Sequence, residues 1–195
     1  MGLQKQWMSS CTVYESSNGL GSRLDLGRLV EAKSRSRTWP YTCGIKDVDG
    51  GPHLVRKASV RPEEIEDFVR QAEEALRSAG RSHNGPPVAV LREPPAPAAS
   101  EPGAPGAVFE VEVRLPVVEG TAPPTGFTTV EVPAMSVAYT VHHGAAQGLP
   151  GAQEVLEGWV KMKALKAVRH VHRVYIKRGK NPRKHVTEVQ LELER

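Results

Sequence analysis

The sequence predicts an α+β fold of two βαββ units, in which one helix covers the apolar face of each unit's antiparallel strands. Three observations predict it. Phe109–Val117 and Val186–Leu193 alternate apolar and polar residues with the period of half-buried strands. Ile65, Phe68, Val69, Ala72, Ala75 and Leu76 recur at the spacing of an amphipathic helix. The chain also repeats itself: a shift of 84 residues lays His53–Arg56 onto Val137–Thr140, and Ile65, Phe68, Ala72 and Ala75 onto Leu149, Ala152, Leu156 and Trp159. With unequal loops allowed, V-E-V-R-L-P-V falls on T-E-V-Q-L-E-L, so that Glu112 matches Glu188.

Residues 1–40 lack a sustained period. Leu20, Leu24 and Leu29 would line a short helix, but S-S-N-G-L-G-S and K-S-R-S-R-T surround them, and the segment reads as a disordered or loosely attached tail. It carries +3 of the chain's formal net charge of +4, a weak patch for a nucleic-acid-binding arm, and leaves +1 for the rest. The texture changes at Tyr41, where the first repeat (41–117) begins. His53–Val60 reads as a strand. Pro62 and the acids Glu63 and Glu64 then suit a helix start, and Gly80 a helix stop. Val88–Arg92 is a short strand. Glu93–Gly106 is a Pro/Ala/Gly spacer that cannot pair in a sheet. After the strand Phe109–Val117, residues 118–128 form a linker. The second repeat (129–195) runs through a strand in Glu131–Gly144, a helix with Trp159, a strand Arg173–Lys177 and the closing strand Val186–Leu193.

Composition bounds the function classes. The 195 residues are 39% hydrophobic and 25% charged, enough for one core, and no apolar run approaches the 18 residues of a membrane span. Cys11 and Cys43 make neither a metal-ligand spacing nor a disulfide framework, and the opening ten residues do not resemble a signal peptide. A soluble cytoplasmic protein is expected. No G-x-S-x-G, Walker or dinucleotide motif is present, and no cofactor is implied. His142, His143, His170 and His172 lack the further ligands a metal site needs, so no metal is assigned.

In the closing strand Thr187, Val189, Leu191 and Leu193 face one way and Glu188, Gln190 and Glu192 the other. Phe109, Val111, Val113, Leu115 and Val117 likewise oppose Glu110, Glu112 and Arg114. The apolar faces go to the helices, and the polar faces meet or line a cleft between the units. Alternation that sends Val174 and Ile176 to the helix side leaves Tyr175 in that cleft with Glu188. An aromatic ring beside a carboxylate suits a cationic or hydrogen-bond-donating apolar ligand. The ordinary reading of Glu188 is a solvated acid on a polar face, and of Trp159, on the stripe of Ala152 and Leu156, a core residue. For Tyr139 both core and cleft stay open.

The stretch V-E-V-P-A-M-S-V-A-Y-T-V-H-H-G, followed by G-L-P-G-A-Q-E-V-L-E-G-W-V, R-V-Y-I-K and V-T-E-V-Q-L, resembles the GyrI-like effector-binding domain. The resemblance is good over residues 130–193, weaker over 41–117, and does not cover the tail. It implies two pseudo-symmetric βαββ repeats forming a concave ligand cleft, with the helices on the outer faces. It places Glu188 in that site and maps the family's pocket aromatics onto Tyr175, Trp159 and Tyr139. The implied function is a stand-alone small-molecule-binding protein. In the family's hydrolase branch the matching glutamate is catalytic, a role that would fall to Glu188. Two features depart from the pattern. Gly51-Pro52 stands where the second repeat has Pro133-Ala134. Residues 158–187 hold ten Lys and Arg and no acid, and their hairpin R-G-K-N-P-R-K-H stands where the resemblance implies acidic residues are common. This basic segment favours an anionic ligand, or contact with a nucleic acid or partner protein.

Overall fold

The computed structural model describes residues 41–92 and 108–194. The tail expected over 1–40 and the spacer Glu93–Gly106 lie outside the described residues. The elements are β1 (Cys43–Val48), β2 (Gly51–Val60), α1 (Ile65–Ser78), β3 (Val88–Arg92), β4 (Phe109–Pro116), β5 (Thr128–Val132), β6 (Met135–His143), α2 (Leu149–Met162), β7 (Ala167–Lys177) and β8 (Val186–Leu193). All eight strands join one antiparallel sheet in the order β1-β6-β8-β7-β3-β4-β2-β5.

Strand β3 pairs with β7 and welds the two halves into one continuous sheet. The registers on either side of this seam correspond. Leu54 pairs with Leu115 in the first half, and Ala138, 84 positions after Leu54, pairs with Leu191 in the second.

Two strands differ from the sequence reading. The segment expected as one strand over Glu131–Gly144 is a hairpin, because Pro133 interrupts the ladder: β5 ends at Val132 and β6 starts at Met135. Strand β1 was not anticipated at all. Both extra strands are edges, and each crosses to the other half, β1 onto β6 and β5 onto β2. Edge strands carry one weakly patterned face and little period signal. The β1–β2 turn abuts the β5–β6 turn, since a Cβ added at Gly50 would stand 2.4 Å from the Val132 carbonyl oxygen and 2.7 Å from the Ala134 nitrogen. This contact draws the two edges together and curls the sheet into a half-barrel.

Both helices pack on the convex face. Helix α1 is entered through a 3-10 turn, Pro62–Glu64, where the Arg61 amide donates to the Glu64 carboxylate at 2.9 Å. It buries Ile65, Phe68, Val69, Ala72 and Leu76, while α2 buries Leu149, Ala152, Leu156 and Val160. These side chains share one core with Leu54, Val111, Val113, Leu115, Val189 and Leu191 from the strands. Each fully buried Leu contributes roughly 1.5–3 kcal/mol. A smaller apolar cluster of Val132, Met135 and Val137, with Val48 packed against it, lies on the concave face. No helix among the described residues is long and apolar enough to cross a membrane.

Candidate functional site

Directly paired residues of antiparallel strands share a sheet face, so the register lists the concave face row by row. One row runs Val141, Glu188, Val174, Val88, Arg114, Val55. The next runs Tyr139, Gln190, His172, Val90, Glu112, Lys57. Over these rows lies a cleft of about 630 Å³. Its walls are apolar, with Val48, Val88, Pro116, Val132, Met135 and Val174, and its polar groups include Lys46, Arg114, His172 and Gln190.

Glu188 is buried on this face. The Lys46 ammonium, from β1, lies 2.7 Å from its Oε1 and 5.0 Å from the centroid of the Tyr139 ring. The Gln190 amide donates to the same carboxylate oxygen. The ammonium therefore holds the place between carboxylate and ring in which a bound cation would be stabilised. Lys46 remains 39% exposed and Glu188 only 7%.

Glu112 is equally buried but paired differently. Arg114 Nε donates to its Oε1 at 2.6 Å, while Lys57 and Arg92 stand 3.2 and 3.7 Å from Oε2. Burial by itself would raise this carboxyl's pKa. The Arg114 hydrogen bond and charge, helped by Lys57, outweigh burial and hold it below the ordinary value. Between the two carboxylates sits His172, whose pKa burial and the nearby Arg114 push down to about 4, so its imidazole is neutral at pH 7.

Of the residues singled out in the sequence, Glu188, Tyr139 and Glu112 lie on the concave face; Tyr175 and Trp159 do not. Tyr175 pairs with Thr187, on the opposite face from Glu188, and is buried in the helix-side core. The apolar run Val174-Tyr175-Ile176 hid the true alternation. Arg173 is the polar residue on the core side, and Ile176 is 52% exposed beside an irregularity in the β7–β8 ladder. Burial pushes the Tyr175 hydroxyl up to about 12. Trp159 packs on α2 against that same core, as its helical stripe suggested. The histidines are also dispersed. His142 Nε2–H donates to the Ala145 carbonyl at 3.0 Å, which leaves Nδ1 to accept the Tyr41 hydroxyl at 3.0 Å.

The groups that sequence reasoning missed are Lys46, Arg114, Gln190 and His172. Arg114 and Gln190 share a polar strand face with Glu112 and Glu188, two positions away in each case, a signal the alternation already contained. Lys46 sits on the unanticipated edge strand, and nothing local connects it with Glu188.

The basic segment divides. Arg178 is salt-bridged to Glu73 on α1, and burial lowers the pKa of the Arg173 guanidinium. Exposed Lys161, Lys163 and Lys166 lie just before β7, and exposed Lys177, Lys180, Arg183 and Lys184 at its far end. Eleven residue steps at about 3.3 Å each, from Lys166 to Lys177, separate the two groups by roughly 36 Å.

No family model matches this sequence, and neither does any curated protein. The fold matches solved structures. The C-terminal domain of EcmrR superposes with a TM-score of 0.63 at 14% identity, covering 80% of this chain and 99% of that one. EcmrR in its DNA complex gives 0.68 at 15% identity over 84% of this chain, which spans only 61% of that longer one. SAV2435 bound to tetraphenylphosphonium gives 0.56 at 9% identity, covering 78% and 94%.

The fold is that of a GyrI-like effector-binding domain. Within it, the concave cleft is lined by Lys46, Arg114, His172 and Gln190, while Tyr175 borders a separate hollow of about 420 Å³ beside Glu73 and Arg178.

Proposed function

We propose that this GyrI-like domain binds a small, largely apolar molecule in its concave cleft, beside Glu188 and Tyr139. The observation that carries the reading is the cleft itself. It has the volume of a small-molecule site, apolar walls, and a few polar groups converging from four strands (Lys46, Arg114, His172 and Gln190), with Glu188 paired to Lys46 at its edge. The SAV2435 structure, of the same fold, was solved with a small organic ion. Glu112 belongs to the scaffold of this site, because three cations of its own half already satisfy it. The matching registers of the two halves support their origin as one duplicated unit.

A thermal-shift screen of small aromatic and amphiphilic compounds tests the proposal. Hits are expected to lose their shift in Val88→Trp, which fills the cleft floor. Hits unaffected by that variant would place binding elsewhere and remove the assignment. Contact with a nucleic acid through residues 158–187 is the weaker reading, because among the described side chains the exposed cations fall into two separated groups. It predicts affinity that falls steeply with salt, and a flat salt response would dismiss it. A hydrolase role for Glu188 would require its carboxylate to be released from Lys46.

A further inference from the structure

The sign of the ligand follows from the way the cleft's own charges are paired. A lipophilic cation is attracted to a buried carboxylate that lacks a counter-ion, because binding then relieves the cost of burying the charge. Among the described residues this cleft offers no such carboxylate. Glu188 has Lys46 at 2.7 Å, and Glu112 has Arg114, Lys57 and Arg92. The Lys46 ammonium also lies 5.0 Å from the Tyr139 ring centroid. One side chain thus fills both halves of a cation site, the acid and the aromatic face.

The polar groups left over have the opposite preference. Arg114 engages Glu112 through Nε and lines the cleft; among the described residues its terminal nitrogens make no hydrogen bond. His172 and Gln190 line the same floor. Among the described residues that line the cleft the one acid is Asp49, exposed on the β1–β2 turn. Guanidinium N–H groups facing apolar walls suit an anion with an apolar body.

We infer that the cleft selects a lipophilic anion over a cation of the same shape, with Lys46 serving as a built-in cation that closes the Glu188 subsite. This inference rests on the ligand-cleft reading above and specifies its ligand class.

Two probes of nearly identical shape and opposite charge, tetraphenylborate and tetraphenylphosphonium, provide the test. Titration calorimetry of the full chain at physiological salt should show tetraphenylborate binding at least tenfold more tightly. Lys46→Met, which uncovers Glu188, should shift that ratio at least tenfold toward tetraphenylphosphonium, and adding Glu188→Gln should cancel the shift. Val88→Trp keeps every surface cation and should abolish binding of the borate. If the wild-type chain binds the phosphonium as tightly or more so, the inference falls while the cleft reading stands. Borate binding that survives Val88→Trp is adsorption to the surface cations and also overturns it. If neither ion binds, the cleft reading fails, and this inference with it.

Discussion

Glu112 and Glu188 stand at corresponding places in the two halves of the sheet, and their surroundings differ. Each is buried, and each accepts a hydrogen bond from the residue two positions on, Arg114 in one half and Gln190 in the other. Across the ladder Glu112 faces Lys57, whereas Glu188 faces Val141. The first half therefore neutralises its glutamate from its own strands. The second half lacks those cations and borrows Lys46 from β1, an edge strand that crosses over from the first. An internally paired carboxylate is part of the scaffold. One held by a single, partly exposed lysine can be uncovered by one substitution. The two near-symmetric halves thus hold their buried carboxylates by different means, one from within and one across the sheet.

The strongest way to break this comparison is to remove the scaffold cation. Arg114→Met leaves Glu112 buried with only the longer contacts to Lys57 and Arg92, and should cost about 3 kcal/mol in urea denaturation. If it costs no more than Lys46→Met, the distinction between the two carboxylates is wrong.

Acid titration comes next. His172 is neutral in the folded state down to about pH 4 but takes up a proton near 6.5 when unfolded. Stability should therefore fall as pH drops from 6.5 toward 4, by roughly 3 kcal/mol, because the unfolded state binds the proton first. His172→Gln should flatten that window. The Glu112 contribution has its own, more acid window. Its lowered pKa stabilises the fold above the ordinary carboxylate range, and that stability is lost as pH falls through the lowered value.

Lys46→Met strips the buried Glu188 of its ammonium and leaves it only the Gln190 hydrogen bond, so it should cost about 1–2 kcal/mol, less than Arg114→Met, while ligand preference moves toward the cation. A smaller effect compares the helix exits. Gly80 follows α1 at φ +70°, and Ala164, 84 positions later, follows α2 at φ +52°. Ala164→Gly should stabilise the fold by about 0.5–1 kcal/mol, and Gly80→Ala should destabilise it by a similar amount, both read from denaturation midpoints.

Much of this was legible in the chain. Val88–Arg92 and Val186–Leu193 coincide with β3 and β8, and both amphipathic stripes became helices. The face carrying Glu188 followed from period-2 alternation, because Val189 and Leu191 on the other face had to be buried. Tyr175 went astray where both adjacent residues are apolar and Arg173, on the same core-side face, is itself half-buried. Trp159 had two readings, and its helical stripe was the better guide. The edge strands β1 and β5 were missed because what defines them is a partner far away in sequence.

By itself the sequence determined what depends on neighbours along the chain: which residues alternate, which recur each helical turn, and therefore which face of β8 holds Glu188. Those periods follow from backbone geometry, and no distant contact is needed to read them. Only the tertiary structure decided what Glu188 meets. The crossing of β1 onto β6 brings Lys46 to it, and the curling of the sheet turns two polar strand faces into one cleft. Strand pairing is a non-local choice, made by packing and loop closure, and no local pattern in β1 announces it. The charge that the cleft presents is therefore set by the fold, although every residue that sets it is written in the chain.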